Sequence, residues 1–364
     1  MLARATLTVD LRKIAENARR VTSALAGFEI VGVTKVTCGS PEVARAMLDG
    51  GVRALGESRL ENVERLRAAR IDAPVWLIRA PTPPLAEETV RLVDVSAISE
   101  YEIVVALDEA AGRVGTTHGI LAMVDVGDLR EGMMPDELPE FVKLVERLEH
   151  VRLMGVGTSL TCYGAIAPDQ RNLARLAELA RVAEEQAGRS LVISGGSSTS
   201  IAPVLAGSAP VAIGNLRIGE AIVLGVDPAT REPILGLDLH TDALCLRAPV
   251  IECKIKPSLP IGTSMQDAFG QVPVFEDRGE RRRAICALGR QDAPAESLRP
   301  VDQRVFVLGA SSDHLVLDVG DLPVAPGIGE AIEFVPGYSA VLQLFTSPYV
   351  GKEFLGGESA PDSG

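Results

Sequence analysis

Lys35 closes an apolar run, Ile30-Val31-Gly32-Val33-Thr34-Lys35, which is a costly place for an ammonium. Such a lysine is tolerated when its amine faces a cavity or is consumed chemically, as in a Schiff-base lysine. A lysine snorkelling from a strand end is the plain alternative. Two later segments have a composition suited to holding an anion. Ser194-Gly195-Gly196-Ser197-Ser198-Thr199-Ser200 follows one short apolar run, and Leu216-Arg217-Ile218-Gly219-Glu220 closes another. Glycine lets backbone N–H groups approach a phosphate and serine hydroxyls add donors. A flexible polar turn is the alternative for the first segment. For Arg217 it is a plain phosphate ligand or a surface charge.

The elements that must carry these residues alternate over the first two thirds of the chain. A helix pattern runs from about Leu11 to Leu25, and Phe28–Lys35 reads as a strand. A helix follows from Pro41 to about Gly50. Further strands are expected at Val52–Leu55, Val75–Arg79, Leu92–Ile98, Gly119–Val126, Val151–Gly157, Leu191–Ser194 and Val211–Leu216. Amphipathic stretches such as Pro139–Glu149 and Gln170–Ala187 separate most of them, with apolar residues at i, i+3, i+4 spacing. Eight strands alternating with helices predict a (β/α)8 TIM-type barrel, with a doubly wound sheet as the rival. From Pro233 to Tyr349 helical periodicity nearly vanishes. Runs rich in β-formers take over at Ala243–Lys256, Arg283–Leu288, Arg304–Leu308 and His314–Val319. The expected organisation is a barrel over residues 10–232 and a C-terminal all-β domain over 233–355. Residues 1–9 are expected to add a strand to that domain, and 356–364 to form a disordered tail.

In that fold functional groups gather at the C-terminal ends of the strands, and phosphates sit on the loops after strands seven and eight. A lysine after strand one and an anion cradle at strands seven and eight together suggest pyridoxal 5'-phosphate (PLP), with Arg217 facing its pyridine nitrogen. Composition narrows the alternatives. A net charge of -13 and 4% aromatics argue against a nucleic-acid partner or an anionic membrane surface. No apolar run approaches the roughly 18 residues of a membrane span. Five scattered cysteines without C-x-x-C spacing read as reduced thiols, so a cytoplasmic protein is the expectation. Four histidines without paired spacing argue against a metal enzyme, and no metal ligand is assigned.

The sequence also resembles a known family. Leu7-Thr8-Val9-Asp10-Leu11 with Asn17, Lys35 after its strand, and Leu216-Arg217-Ile218-Gly219 resemble the fold-type III PLP enzymes of the alanine racemase superfamily. Val33-Thr34-Lys35-Val36-Thr37-Cys38-Gly39, Leu55-Gly56-Glu57-Ser58-Arg59-Leu60-Glu61-Asn62 and Gly289-Arg290-Gln291-Asp292 are similar to its alanine/ornithine racemase-type branch. The resemblance covers nearly the whole chain.

It implies that Lys35 tethers the cofactor and serves as one acid/base. Ser198, backbone groups near Gly219 and Glu220, and Tyr338 would hold the phosphate. Arg217 would bond to the pyridine nitrogen, and Arg130 would organise the substrate side. One departure concerns the second acid/base. Alanine racemases carry a tyrosine in a G-Y-A-D-G segment supplied by the partner subunit, whereas Ala287-Leu288-Gly289-Arg290-Gln291-Asp292 has none. Their T-H-F after strand six reads Thr158-Ser159-Leu160 here. Asp292, Cys162 and Tyr163 are the candidates, and a buried thiol is the plain reading of Cys162. The implied activity is racemisation of an amino acid, with ornithine or another cationic substrate first and alanine second. The implied assembly is a homodimer with the active site at the subunit interface. A non-catalytic PLP carrier and a D-amino-acid lyase on the same fold are the alternatives.

Overall fold

Strands that are apolar on consecutive residues, rather than on alternate ones, belong to sheets covered on both faces. The run His118–Met123 is such a strand, buried at all six positions. In the computed structural model, which describes residues 3–356, eight strands, buried at most of their positions, close a parallel barrel.

Strand β1 (Thr6–Asp10) and helix α1 (Leu11–Ala24) precede it. The barrel strands are β2 (Glu29–Val33), β3 (Ala54–Glu57), β4 (Val75–Leu77), β5 (Val95–Ile98), β6 (His118–Met123), β7 (Val151–Gly157), β8 (Val192–Ser194) and β9 (Asn215–Ile218). The helices between them are α2 (Pro41–Asp49), α3 (Leu60–Ala68), α4 (Ala86–Leu92), α5 (Tyr101–Val114), α6 (Leu138–Val145), α7 (Gln170–Ala187) and α8 (Ile201–Leu205), and α9 (Glu220–Leu224) follows β9. Pairing of β2 with β9 closes the ring, with Val31 opposite Arg217. Inside it Val31, Ala54, Trp76, Val95, Ala97, Leu121 and Met123 pack as one cluster, while Ile98, Ile120, Ala122, Leu153 and Val156 face the helices. The period of two divides interior from exterior.

Local signals set the helix ends. Ser40 accepts a hydrogen bond from the Val43 N–H with Pro41 in the first turn of α2. Asp169 and Asn172 form a reciprocal capping box on α7. The buried Asn17 amide of α1 donates to the carbonyls of Ile222 (3.0 Å) and His240 (2.9 Å) and accepts from the His240 N–H (2.7 Å). These bonds hold residues 233–241 to the barrel, so the chain divides between Thr241 and Asp242, later than the change of pattern at Pro233.

The second unit joins the chain up to Asp10 with Asp242–Gly356. Its strands are β10 (Leu244–Pro257), β11 (Glu280–Cys286), β12 (Leu298–Pro300), β13 (Phe306–Ala310), β14 (Leu315–Asp318), β15 (Ala331–Pro336) and β16 (Gly351–Leu355). Strand β1 pairs antiparallel with β10 and parallel with β16. Helix α10 (Tyr338–Thr346) corrects the expectation that helices end with the barrel. The expected tail lies, beyond Gly356, outside the described residues. Among the described residues no helix is long and apolar enough to cross a membrane.

His118, 1% exposed at the start of β6, meets the Ser96 hydroxyl at 2.8 Å. Burial pushes its pKa down to about 4, so the folded protein holds it neutral while an unfolded histidine titrates near 6.5. A depressed folded pKa gives stability that is complete above the unfolded value and is lost as pH falls toward 4. The full difference is about 3 kcal/mol, of which about 2 kcal/mol falls between pH 7 and pH 5. Urea midpoints at the two pH values measure it. His118→Gln should flatten the difference, and an unchanged slope would mean that other groups carry it.

Candidate active site

The C-terminal ends of β2, β3, β7 and β8 meet on one rim of the barrel, each continuing into a loop that carries polar side chains. After β2 the chain turns into a 3-10 segment, Lys35–Thr37. Lys35 therefore begins that turn rather than closing the strand as expected. Cys38 takes φ 51° and Gly39 φ 60°, and a Cβ on Gly39 would lie 2.9 Å from the Asn62 carbonyl oxygen. This tight turn leaves Lys35 half-buried at the rim. Burial lowers the pKa of its ammonium. Cys162, Arg130, Glu131 and Glu57 lie near enough to act on it electrostatically.

Glu57, at the end of β3, is fully buried. Its carboxylate accepts from Thr34 Oγ1 (2.6 Å), Asn62 Nδ2 (2.9 Å) and the Ser58 N–H (3.1 Å). Burial raises its pKa against those bonds. It ties the residue before Lys35 to β3 and α3. Sequence reasoning assigned it no role, although an acid closing Ala54-Leu55-Gly56-Glu57 carries the same signal as Lys35.

Arg217 does not follow its strand. It sits within β9, level with Val31 of the interior cluster, and is 6% exposed. The expected strand Val211–Leu216 is displaced because Val211 is fully exposed and the strand proper begins at Asn215. The guanidinium donates to Ser194 Oγ at the end of β8 and to the Thr158 carbonyl after β7, and reaches Ser159 Oγ at 3.5 Å. Burial pushes its pKa down to about 10, which still leaves it cationic at neutral pH.

Beyond β8, Gly196 at φ 112° accepts from the Arg217 N–H through its carbonyl (3.0 Å). Ser198 is buried, and its Oγ accepts from the Ala221 N–H (3.2 Å), joining this loop to the Gly219-Glu220 turn. A Cβ on Gly219 would stand 2.7 Å from the Val33 carbonyl oxygen, so only glycine lets β9 end this close to the lysine turn. Glu220 pairs with Arg231, and burial raises its pKa.

Arg130 pairs with its neighbour Glu131 in the loop after β6. The barrel unit thus brings together Lys35, Arg130, Cys162, Ser198, Arg217, Gly219 and Glu220. Tyr163 is 76% exposed. Asp292 and Tyr338 belong to the other unit. There the buried Asp292 carboxylate accepts from Ser347 Oγ (2.7 Å) and the Gly289 N–H (3.4 Å), and Tyr338 heads α10. The Arg290 guanidinium lies 4.9 Å over the Phe269 ring.

An amine, a buried cation and a glycine/serine turn on one rim fit a cofactor that has an aldehyde, a ring nitrogen and a phosphate. Beside Arg217, two buried polar atoms, Thr158 Oγ1 and Asn215 Nδ2, have no hydrogen-bond partner. Unpartnered polar groups of this kind suit a site for a polar ligand. Among the described residues no group of three or more His, Cys, Asp or Glu is arranged to hold a metal ion.

Comparison with known proteins agrees with this geometry. Residues 9–226 match the family described as alanine racemase, N-terminal domain. A lysine racemase of Thermotoga maritima is 40% identical over 354 residues, covering 96% of this chain and 98% of its own. An ornithine racemase of Acetoanaerobium sticklandii is 38% identical over 353 residues, covering 96% and 99%. The alanine racemase of a D-cycloserine-producing Streptomyces lavendulae superposes with a TM-score of 0.77 at 20% identity, covering 98% of each chain.

Proposed function

The chain belongs to the alanine racemase family and is an amino-acid racemase, and on that footing we propose that it is a PLP-dependent racemase of a cationic amino acid, ornithine first. The observation that carries the cofactor reading is the convergence of Lys35, Arg217 and the Ser198 loop on one barrel rim. The substrate reading is supported by the ornithine and lysine racemases that match over nearly their full lengths.

When bound, PLP supplies the electron sink that makes the substrate Cα–H acidic. Lys35 would tether it. Ser198, backbone groups near Gly219 and Glu220, and Tyr338 would hold its phosphate. Arg217 would face its ring nitrogen and, being cationic, would leave that nitrogen unprotonated. Arg130 would orient the substrate.

Inversion needs an acid/base on each face of Cα. Lys35 Nζ takes the Cα proton from one face, and the Cys162 thiol gives its own proton to the other. In the reverse direction the roles exchange, and proton exchange with water resets both groups. Cys162 is favoured because it lies near both Lys35 and Arg217 in the barrel unit, whereas the Asp292 carboxylate is occupied by Ser347 Oγ and the Gly289 N–H in the other unit. We place the enzyme in the cytoplasm as a homodimer, with the partner's β unit completing each site.

The test is a panel of L-amino acids incubated with the holoenzyme and resolved by chiral chromatography. Ornithine and lysine should give their D enantiomers with kcat/KM at least about tenfold above alanine, a discrimination of about 1.4 kcal/mol. Alanine as the preferred substrate would overturn the substrate class and leave the racemase reading standing.

A further inference from the structure

Asp128, in the loop after β6, is a buried carboxylate (1% exposed) with no role in the reading so far. Its oxygens face the backbone of a different loop, the one after β7. Oδ2 accepts from the Tyr163 N–H (2.9 Å), and Oδ1 accepts from the N–H groups of Cys162 (3.3 Å) and Ile166 (3.4 Å). Although burial works against it, these bonds hold the carboxyl below the usual carboxylate range.

The approach is close, because a Cβ on Gly164 would lie 2.6 Å from the Asp128 carbonyl oxygen. Leu129, Thr161 and Ala165 all take positive φ (54°, 60° and 54°), backbone that costs free energy unless its surroundings fix it. The β7 loop is pinned at its other end by Arg217, through the Thr158 carbonyl and Ser159 Oγ. Cys162 lies between the two anchors, its Sγ donating to the Leu160 carbonyl at 3.4 Å.

We propose that Asp128 is a positioning residue that fixes Cys162 at the barrel mouth as the acid/base on the face of Cα away from Lys35. This rests on the racemase reading above and adds to it the device that holds the second proton carrier. Asp128 touches neither substrate nor cofactor. It acts through the loop.

Asp128→Asn keeps the shape but lets a donating amide replace one accepting oxygen. Two readouts on the full-length holoenzyme test the assignment. Backbone hydrogen exchange over residues 161–166 should accelerate about tenfold or more, with other barrel segments unchanged. In D2O, L-to-D conversion should fall at least about 10²-fold. Exchange of the Cα hydrogen should persist for the one enantiomer served by Lys35 and collapse for the other. A generally loosened protein would lose both exchanges together.

Cys162→Ala should reproduce the one-sided exchange without loosening the loop, and it decides the matter if Asp128→Asn does not fold. Racemisation by either variant within about threefold of the parent, or equal loss of exchange for both enantiomers, would overturn the assignment. If the parent exchanges the Cα hydrogen of no amino acid, the racemase reading itself fails. If parent and variants exchange both enantiomers alike, only the role of Asp128 and Cys162 fails.

Discussion

Lys35→Ala should abolish racemisation to within measurement, a loss of about 10⁴-fold or more, because in the proposed mechanism the lysine would both tether the cofactor and carry one of the two protons. The protein should stay folded. Lys35 is half-buried at the rim, outside the apolar cluster that fills the barrel, and alanine leaves the Thr34–Glu57 hydrogen bond in place. Borohydride reduction of the parent holoenzyme should leave a pyridoxyl group on the peptide that contains Lys35. The same treatment of Lys35→Ala should leave none on any peptide. A pyridoxyl group on a different lysine of the parent would contradict the assignment.

Arg217→Gln should lower kcat by about 10²-fold or more while borohydride still fixes the cofactor to Lys35. The guanidinium is the buried cation of the site, and it spans from Ser194 Oγ to the Thr158 carbonyl. Glutamine has no charge and is too short to serve both acceptors. Leaving one buried acceptor unpaired costs about 1–3 kcal/mol, so a lower urea midpoint should accompany the kinetic loss. Arg217→Lys separates the two effects, because it restores the charge without the planar fork. It should recover part of kcat and little of the stability. Turnover and a bound-cofactor spectrum both unchanged in Arg217→Gln would make Arg217 a structural residue only.

Much of this site is legible in the sequence because charge at the end of an apolar run is a strong local signal. Lys35 stands out for that reason, and Val151–Gly157 reads as a strand with its ends where the structure has them. Strand β9 is the opposite case. Its residues Asn215, Leu216, Arg217 and Ile218 alternate polar with apolar because the polar pair turns inward, where both side chains meet the buried Ser194 hydroxyl. A search for apolar runs therefore settles on the preceding Val211, which faces water. Helix α10 is hidden for a related reason. Its apolar stretch from Ala340 to Phe345 is short and follows Pro336-Gly337, so its helical periodicity does not stand out. Asp128 cannot be found by pattern at all. Its partners are backbone N–H groups more than thirty residues away, and backbone donors carry no mark of residue type. Glu57 was readable in principle by the logic that picked out Lys35.

The central claim is that this protein inverts Cα of a cationic amino acid by moving protons on and off its two faces. The measurement that tests it most directly follows chirality and mass together while the full-length holoenzyme acts on L-ornithine in D2O. The account predicts D-ornithine accumulating to a racemic mixture, with one deuterium at Cα in every D molecule formed. L-ornithine that keeps both its configuration and its Cα hydrogen after prolonged incubation, with lysine and alanine equally untouched, would contradict it.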